Sequence, residues 1–158
     1  MNKVIHPIKP IFDAYSHVLI LGSFPSVISR EKGMYYANPQ NRFWKVLASL
    51  FNEEIIDKKE FCLKHHIALW DVIKSCEIEK SNDASITNVE VNDIASITSK
   101  APIHLIITNG KKASSLYETY IQSEIPMLSL PSTSSANAKF SLHDLCNAYQ
   151  IILKYIYD

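Results

Sequence analysis

"HVLILGS" fills residues 17–23, four branched apolar side chains in a row and then Gly22. A strand with one wet face alternates apolar and polar residues. This run does not alternate, so it reads as a strand buried on both faces, the signature of a parallel sheet. Three more runs share its character: "IALWDVI" (67–73), "HLIITNG" (104–110) and "MLSLPSTSS" (127–135), the last running into a hydroxyl-rich loop. Helical spacing separates them. In "NRFWKVLASLF" (41–51), Phe43, Val46, Leu47 and Leu50 fall on one face. Helices are also expected over residues 57–65, 91–99 (short), 111–121 and 140–157. The remaining stretches, "FPSVISREKGMYYANPQ" and "KSCEIEKSNDASITN", read as irregular loops. Strands alternating with helices predict an α/β fold, a three-layer α/β/α sandwich around a small, mostly parallel four-stranded sheet.

The chain of 158 residues suits a single domain over residues 1–158, with enough length to bury a real core. Its formal net charge is zero, which excludes a globally electropositive nucleic-acid binder but leaves room for a local patch. The two arginines, Arg30 and Arg42, flank the aromatic stretch at residues 35–44, with Lys32 and Lys45 beside them. Cys62, Cys76 and Cys146 show no paired spacing, so they read as reduced core thiols of a cytoplasmic protein. "MNKVIHPIKP" lacks the apolar run of a signal peptide, and no stretch reaches membrane-spanning length. His65 and His66 read as surface residues, because nothing nearby completes a metal ligand set. No cofactor is expected.

Open α/β sheets place their sites beyond the carboxyl ends of the strands. "GSFPS" (22–26), "WDVIKSC" (70–76), "NGKK" (109–112) and "LPSTSSANA" (130–138) all meet on that rim. Dinucleotide, P-loop and hydrolase-elbow signatures are missing from these turns. Phe24, Tyr35 and Tyr36 could form a stacking slot for a planar ring, against a plainer reading as core. Asn38 and Asn41 could hold a water or read polar edges, and Asn41 equally suits a helix N-cap. Asp71, a carboxylate ending an apolar strand, either accepts hydrogen bonds from a ligand or caps the following loop. Ser132, Thr133, Ser134, Ser135 and Asn137 precede a helix start, where free N–H groups suit a phosphate; the plainer reading has Ser135 or Asn137 capping that helix. Lys111, Lys112 and Lys139 on the same rim favour a polyanion.

Gly22-Ser-Phe-Pro-Ser26, "YYANPQNRFW" (35–44) and "LPSTSSANA" (130–138), with "ALWDVIKSC" and "SNDASI" between them, resemble the uracil-DNA glycosylase superfamily, in its hypoxanthine-DNA (deoxyinosine) glycosylase-like branch. The resemblance runs from about Val18 to Ala138. It implies a monofunctional DNA glycosylase that flips a deaminated base, hypoxanthine or uracil, into a pocket and excises it by water attack on the N-glycosidic bond. Two polar catalytic positions of related branches are apolar here, Phe24 and Leu130. The resemblance therefore implies that an asparagine of the second segment serves instead: Asn41 by motif position, with Asn38 the second candidate. Gly22, Ser23, Phe24, Tyr36 and Asp71 would line the base pocket. Ser132, Thr133, Ser134, Ser135, Asn137 and Lys139 would face DNA. The expected partner is DNA bearing a deaminated base, met by a monomer away from membranes. Phe24 and Leu130 also keep open a non-catalytic nucleic-acid binding module, and an enzyme of free nucleosides is a third reading.

Overall fold

The computed structural model describes residues 3–80 and 82–157. Four parallel strands form the central sheet: β2 (Val18–Gly22), β3 (Ile67–Asp71), β6 (Leu105–Asn109) and β7 (Met127–Leu130), in the order β3-β2-β6-β7. β2 lies inside the sheet and all five of its residues are buried. Each fully buried Leu or Ile of such a strand stabilises the fold by roughly 1.5–3 kcal/mol. Its side chains alternate between two cores. Val18 and Ile20 join Phe43, Val46 and Leu47 of α2 (Phe43–Phe51), Phe61 of α3 (Lys58–Lys64), and Leu145 and Ile152 of the last two helices, α6 (Leu142–Tyr149) and α7 (Ile152–Tyr155). Leu19 and Leu21 join Ile97 of α4 (Ala95–Thr98) and Leu116 and Tyr117 of α5 (Lys111–Tyr120). The result is the three-layer α/β architecture expected from the four apolar runs.

Several elements depart from the sequence reading. The stretch taken as polar and irregular, residues 74–88, instead holds most of β4 (Ile73–Glu77) and the start of β5 (Thr87–Val91), which form a second, antiparallel sheet with β1 (Lys3–Ile5) in the order β1-β4-β5. β5 exposes most of its side chains, and β4 and β5 pair with register shifts, so no clean apolar alternation marks them. The loop after β2 contains a short helix, α1 (Val27–Lys32), capped by the Ser26 hydroxyl. The helix expected over residues 91–99 shrinks to four residues because Val91 ends β5. The closing helix starts at Leu142 under a capping box of Ser141 and Asp144. It breaks at Gln150, where the next bonds tighten to an i+3 pattern (Leu153 N–H to Gln150 O). β7 stops before Pro131, which has no N–H to continue the ladder.

His65 is not a surface residue. It is 9% exposed, stacks on Phe51 with ring centroids 4.0 Å apart, and bonds Glu53 at 3.0 Å. Among the described residues no helix is long and apolar enough to cross a membrane.

Candidate active site

Register brings the site together. In the ladder Gly22 lies opposite Asp71, and Asn109 opposite Leu130. The carboxyl ends of β2, β3, β6 and β7 therefore form one rim, and a cleft of about 190 Å³ opens above it. Gly22, Ser23, Phe24, Tyr36, Asn38, Asn41 and Asp71 border this cleft, as do Ser132, Thr133, Ser134 and Ser135. Asn137 and Lys139 do not line it.

One wall is a relay of amides and hydroxyls. Asn109 donates from Nδ2 to Thr133 Oγ1 (3.0 Å), and Thr133 Oγ1 donates to Asn41 Oδ1 (2.8 Å). Asn109 Oδ1 accepts from the Thr133 N–H (3.0 Å), which fixes which way that amide points. Asn41 Oδ1 also accepts the Phe43 N–H at 2.9 Å. Asn41 thus steadies the entrance of α2 and borders the cleft at once, but it is not the N-cap expected from sequence: that position is Arg42, without a side-chain cap bond. With Oδ1 holding two donors, only its Nδ2 hydrogens are left for anything in the cleft. Asn38 is tied locally, its Oδ1 accepting the Gln40 N–H at 2.9 Å.

Arg42 braces the same wall. Its guanidinium donates to the carbonyls of Ser134 (2.9 Å), Asn137 (3.2 Å) and Phe140, and more weakly to that of Thr133 (3.4 Å). Arg30 is likewise turned inward, to the Pro25 carbonyl (2.7 Å) and the Phe24 ring (5.4 Å). The two arginines hold loops together and supply no free basic patch. Gly110, at φ +99°, lets the serine-rich loop close over the sheet; a Cβ there would lie 3.0 Å from Ser132 Cβ.

The serine-rich loop departs from its sequence reading. Thr133 is fully buried and its hydroxyl points into the relay. Asn137 braces the loop, donating to the Ser132 carbonyl at 3.0 Å, and caps no helix. Since Ser141 caps α6, neither Ser135 nor Asn137 does, and no helix dipole stands behind Ser132–Ser135. Ser135 and Lys139 remain exposed.

The other wall holds Asp71, which is 3% exposed. Asn92, itself buried, donates to the Asp71 carbonyl at 2.9 Å and sets the turn after β3. The Asp71 carboxylate pairs with His6, Nε2 to Oδ2 at 2.7 Å. Tyr36 adopts φ +54°, unusual for a bulky residue, and stacks on Phe43 with centroids 4.0 Å apart. One face of its ring is therefore covered by protein. Its hydroxyl is buried without a well-formed hydrogen bond. Burial, with help from the Asp71 charge, pushes that hydroxyl far above the ordinary phenol range, and the nearby Asn109 amide opposes the shift. Phe24 is 8% exposed and meets the His6 ring edge-on at 5.9 Å. Tyr35 is 2% exposed and donates to the Lys9 carbonyl at 2.9 Å, so it belongs to the core more than to a slot.

At the mouth, Ser23 Oγ lies 3.4 Å from both carboxylate oxygens of Asp83. Asp83 is an exposed residue, yet burial of its carboxyl, with some help from the Asp71 charge, raises it above the usual range, against the pull of Ser23 and Lys112. Sequence reading missed His6, Asn109 and Asp83. Asn109, ending an apolar strand beside Gly110, carried the same signal that singled out Asp71. Asp83 lies in "SNDASI", which entered the reading only as part of the family resemblance, and His6 lies in a stretch without periodicity and gave no signal.

The fold agrees with what the chain is similar to. The model of the uracil DNA glycosylase superfamily matches residues 10–156. A protein of Methanosarcina acetivorans named hypoxanthine DNA glycosylase is 39% identical over 145 residues, 83% of this chain and 87% of that one. Another of the same name from Methanosarcina barkeri is 34% identical over 110 residues, covering 66% and 70% of the two chains. A solution NMR structure from Methanosarcina acetivorans, provisionally described as a uracil DNA glycosylase, superposes with a TM-score of 0.78 at 32% identity, over 95% of this chain and 99% of that one. This chain belongs to the uracil DNA glycosylase superfamily.

Proposed function

We propose that this chain excises hypoxanthine from DNA as a monofunctional glycosylase, with Asn41 positioning the water that attacks the sugar. That it is a DNA glycosylase acting on a deaminated base follows from its family and relatives. The choice of hypoxanthine rests on the names those relatives carry. The observation that carries the mechanism is the relay from Asn109 through Thr133 to Asn41, which saturates Asn41 Oδ1. The amide N–H then holds a water by one lone pair and leaves the other free to attack C1′. Cleavage of the N-glycosidic bond builds positive charge on the sugar and negative charge on the departing base, so the water needs aim more than a strong base. The fixed amides also supply dipoles that need no reorganisation during reaction. Phe24 and Tyr36 form the apolar side of the base pocket, and Gly22, Ser23 and Asp71 its polar side. Ser135 and Lys139 face the backbone of the DNA, with Ser132, Thr133, Ser134 and Asn137 shaping the loop that presents them.

The test is a panel of duplex oligonucleotides carrying hypoxanthine, uracil, xanthine or mismatched thymine. Each is incubated with the protein and then treated with alkali to cut at abasic sites. Alkali-dependent cleavage of the hypoxanthine strand is expected, and none without alkali. Tight binding with no cleavage of any lesion would instead establish a non-catalytic binding module, the reading that Phe24 and Leu130 keep open.

A further inference from the structure

We infer that Asp71 and Tyr36 form an acceptor–donor couple that reads the lactam edge of a deaminated base, and that His6 is the positioning residue that assigns Asp71 this task. The inference rests on the glycosylase reading above and specifies how its pocket chooses a substrate.

His6 and Asp71 have side chains 3% and 4% exposed. His6 Nδ1 accepts the Ile8 N–H at 3.2 Å, so the ring proton sits on Nε2 and is donated to Asp71 Oδ2. Asp71 Oδ1 makes no hydrogen bond among the described residues, and Asp71 borders the cleft. Tyr36 Oη is buried and lacks a well-formed hydrogen bond, although buried phenols normally find one. Both oxygens face the same small space. A Cβ on Gly22 would lie 2.5 Å from Asp71 Oδ1 and 3.1 Å from Tyr36 Oη. Without a Cβ, Gly22 lets both oxygens come close to its backbone, an acceptor and a hydroxyl side by side. The positive φ of Tyr36 and its stack on Phe43 hold the hydroxyl there at a backbone cost.

Deamination reverses one edge of a base. Adenine offers a ring nitrogen acceptor beside an amino donor; hypoxanthine offers a ring N–H donor beside a carbonyl acceptor. Cytosine and uracil differ in the same way. A ring N–H can be taken by Asp71 Oδ1 while Tyr36 Oη–H donates to the carbonyl. Adenine would set its ring lone pair against the buried carboxylate, and a polar site left unpaired rejects such a ligand strongly. Guanine shares the lactam edge but adds an amino group beside the ring N–H. A free carboxylate would take both with its two oxygens. Here Oδ2 is committed to His6, so the guanine amino group would be buried without an acceptor.

The experiment measures single-turnover excision from duplexes carrying hypoxanthine, N1-methylhypoxanthine, adenine or guanine, each opposite thymine. Wild-type protein should favour hypoxanthine over its N1-methyl derivative by about a hundredfold or more, since the methyl group removes the donor. Tyr36→Phe should slow hypoxanthine excision by about tenfold or more with little change in melting temperature, because the hydroxyl makes no well-formed hydrogen bond among the described residues. His6→Leu should narrow the preference for hypoxanthine over guanine, and His6→Gln, which keeps an N–H for Oδ2, should restore it. The inference is overturned if wild type excises N1-methylhypoxanthine as fast as hypoxanthine, or if Tyr36→Phe matches the wild-type rate. Neither arm depends on a variant that disturbs the fold. If wild type excises none of the four bases, the glycosylase reading itself fails and takes this inference with it.

Discussion

The two walls of the cleft treat their polar atoms in opposite ways. On the wall built by Asn41, Thr133, Asn109 and Arg42, carbonyl and hydroxyl acceptors are spent inside the protein. On the wall built by Gly22, Tyr36 and Asp71, an acceptor and a hydroxyl are left over. The first wall ties two loop residues, Asn41 and Thr133, to Asn109 at the end of β6. The second sets two strand ends that are opposite partners in the sheet, Gly22 and Asp71, beside Tyr36 of a loop. On the first wall the side chains supply the bonds that hold the loops to the sheet, and what remains outward is N–H. On the second wall the ladder already holds Gly22 and Asp71, and side-chain valence is kept free for a ligand. The difference separates orientation of the reaction from choice of the base.

The largest expected effect comes from the saturated wall. Asn41→Ala should lower single-turnover excision of hypoxanthine by about a hundredfold, the size seen when one preorganised donor is removed from an active site. Binding to lesion DNA should change little. If Asn41→Ala keeps the wild-type rate and Asn38→Ala loses it, the role moves to Asn38.

Arg42→Ala tests whether that wall is scaffold. It removes the donor from four loop carbonyls. Stability should fall by about 2–3 kcal/mol, and thermal melting should drop by roughly 5–10 °C. An unchanged melting curve would mean that the loop holds itself.

Gly22→Ala drives a methyl group against Asp71 Oδ1 and Tyr36 Oη on the unsaturated wall. Overpacking there should cost about 1–3 kcal/mol of stability. Excision of hypoxanthine should fall by about tenfold while binding to undamaged duplex stays the same, as parallel rate and titration measurements would show.

Smaller effects belong to the mouth. Lys139→Ala should weaken binding to lesion and plain duplexes alike and flatten the salt slope by about 0.9. A slope equal to wild type would put the DNA backbone elsewhere. Asp83 should give a pH signature. Its carboxyl is raised, so it takes up a proton above the ordinary carboxylate range as pH falls. The mouth then loses a negative charge and DNA binding strengthens. Asp83→Asn should bind more tightly than wild type near neutral pH, and the gap should close as the solution is acidified. A gap that is constant with pH would show that this carboxylate does not face the DNA.

The parallel sheet was legible because burial on both faces removes the alternation that other strands show. "VLILG", "IALWD" and "LIITN" are apolar for that single reason, and each ends where the site begins. The rim motifs were legible because Gly, Pro and carboxamides stand out against such runs. The second sheet was not, since an exposed β5 and shifted pairing leave no period to read. His6 was illegible for another reason. It lies 65 positions from Asp71 in a segment without pattern, and only the packing of that segment against the rim makes them partners.

By itself, then, the sequence determined the layered α/β fold, the rim on which the chemistry sits and the residue types found there, because those follow from local periodicity and from turns that demand particular residues. Tertiary structure decided which of these atoms are spent and which are free. Thr133 became a buried strut, Arg42 a brace, Tyr36 a hydroxyl facing Gly22, and Asp71 half of a pair with His6. Hydrogen-bond valence is allotted between residues distant in the chain, and no local pattern encodes that allotment.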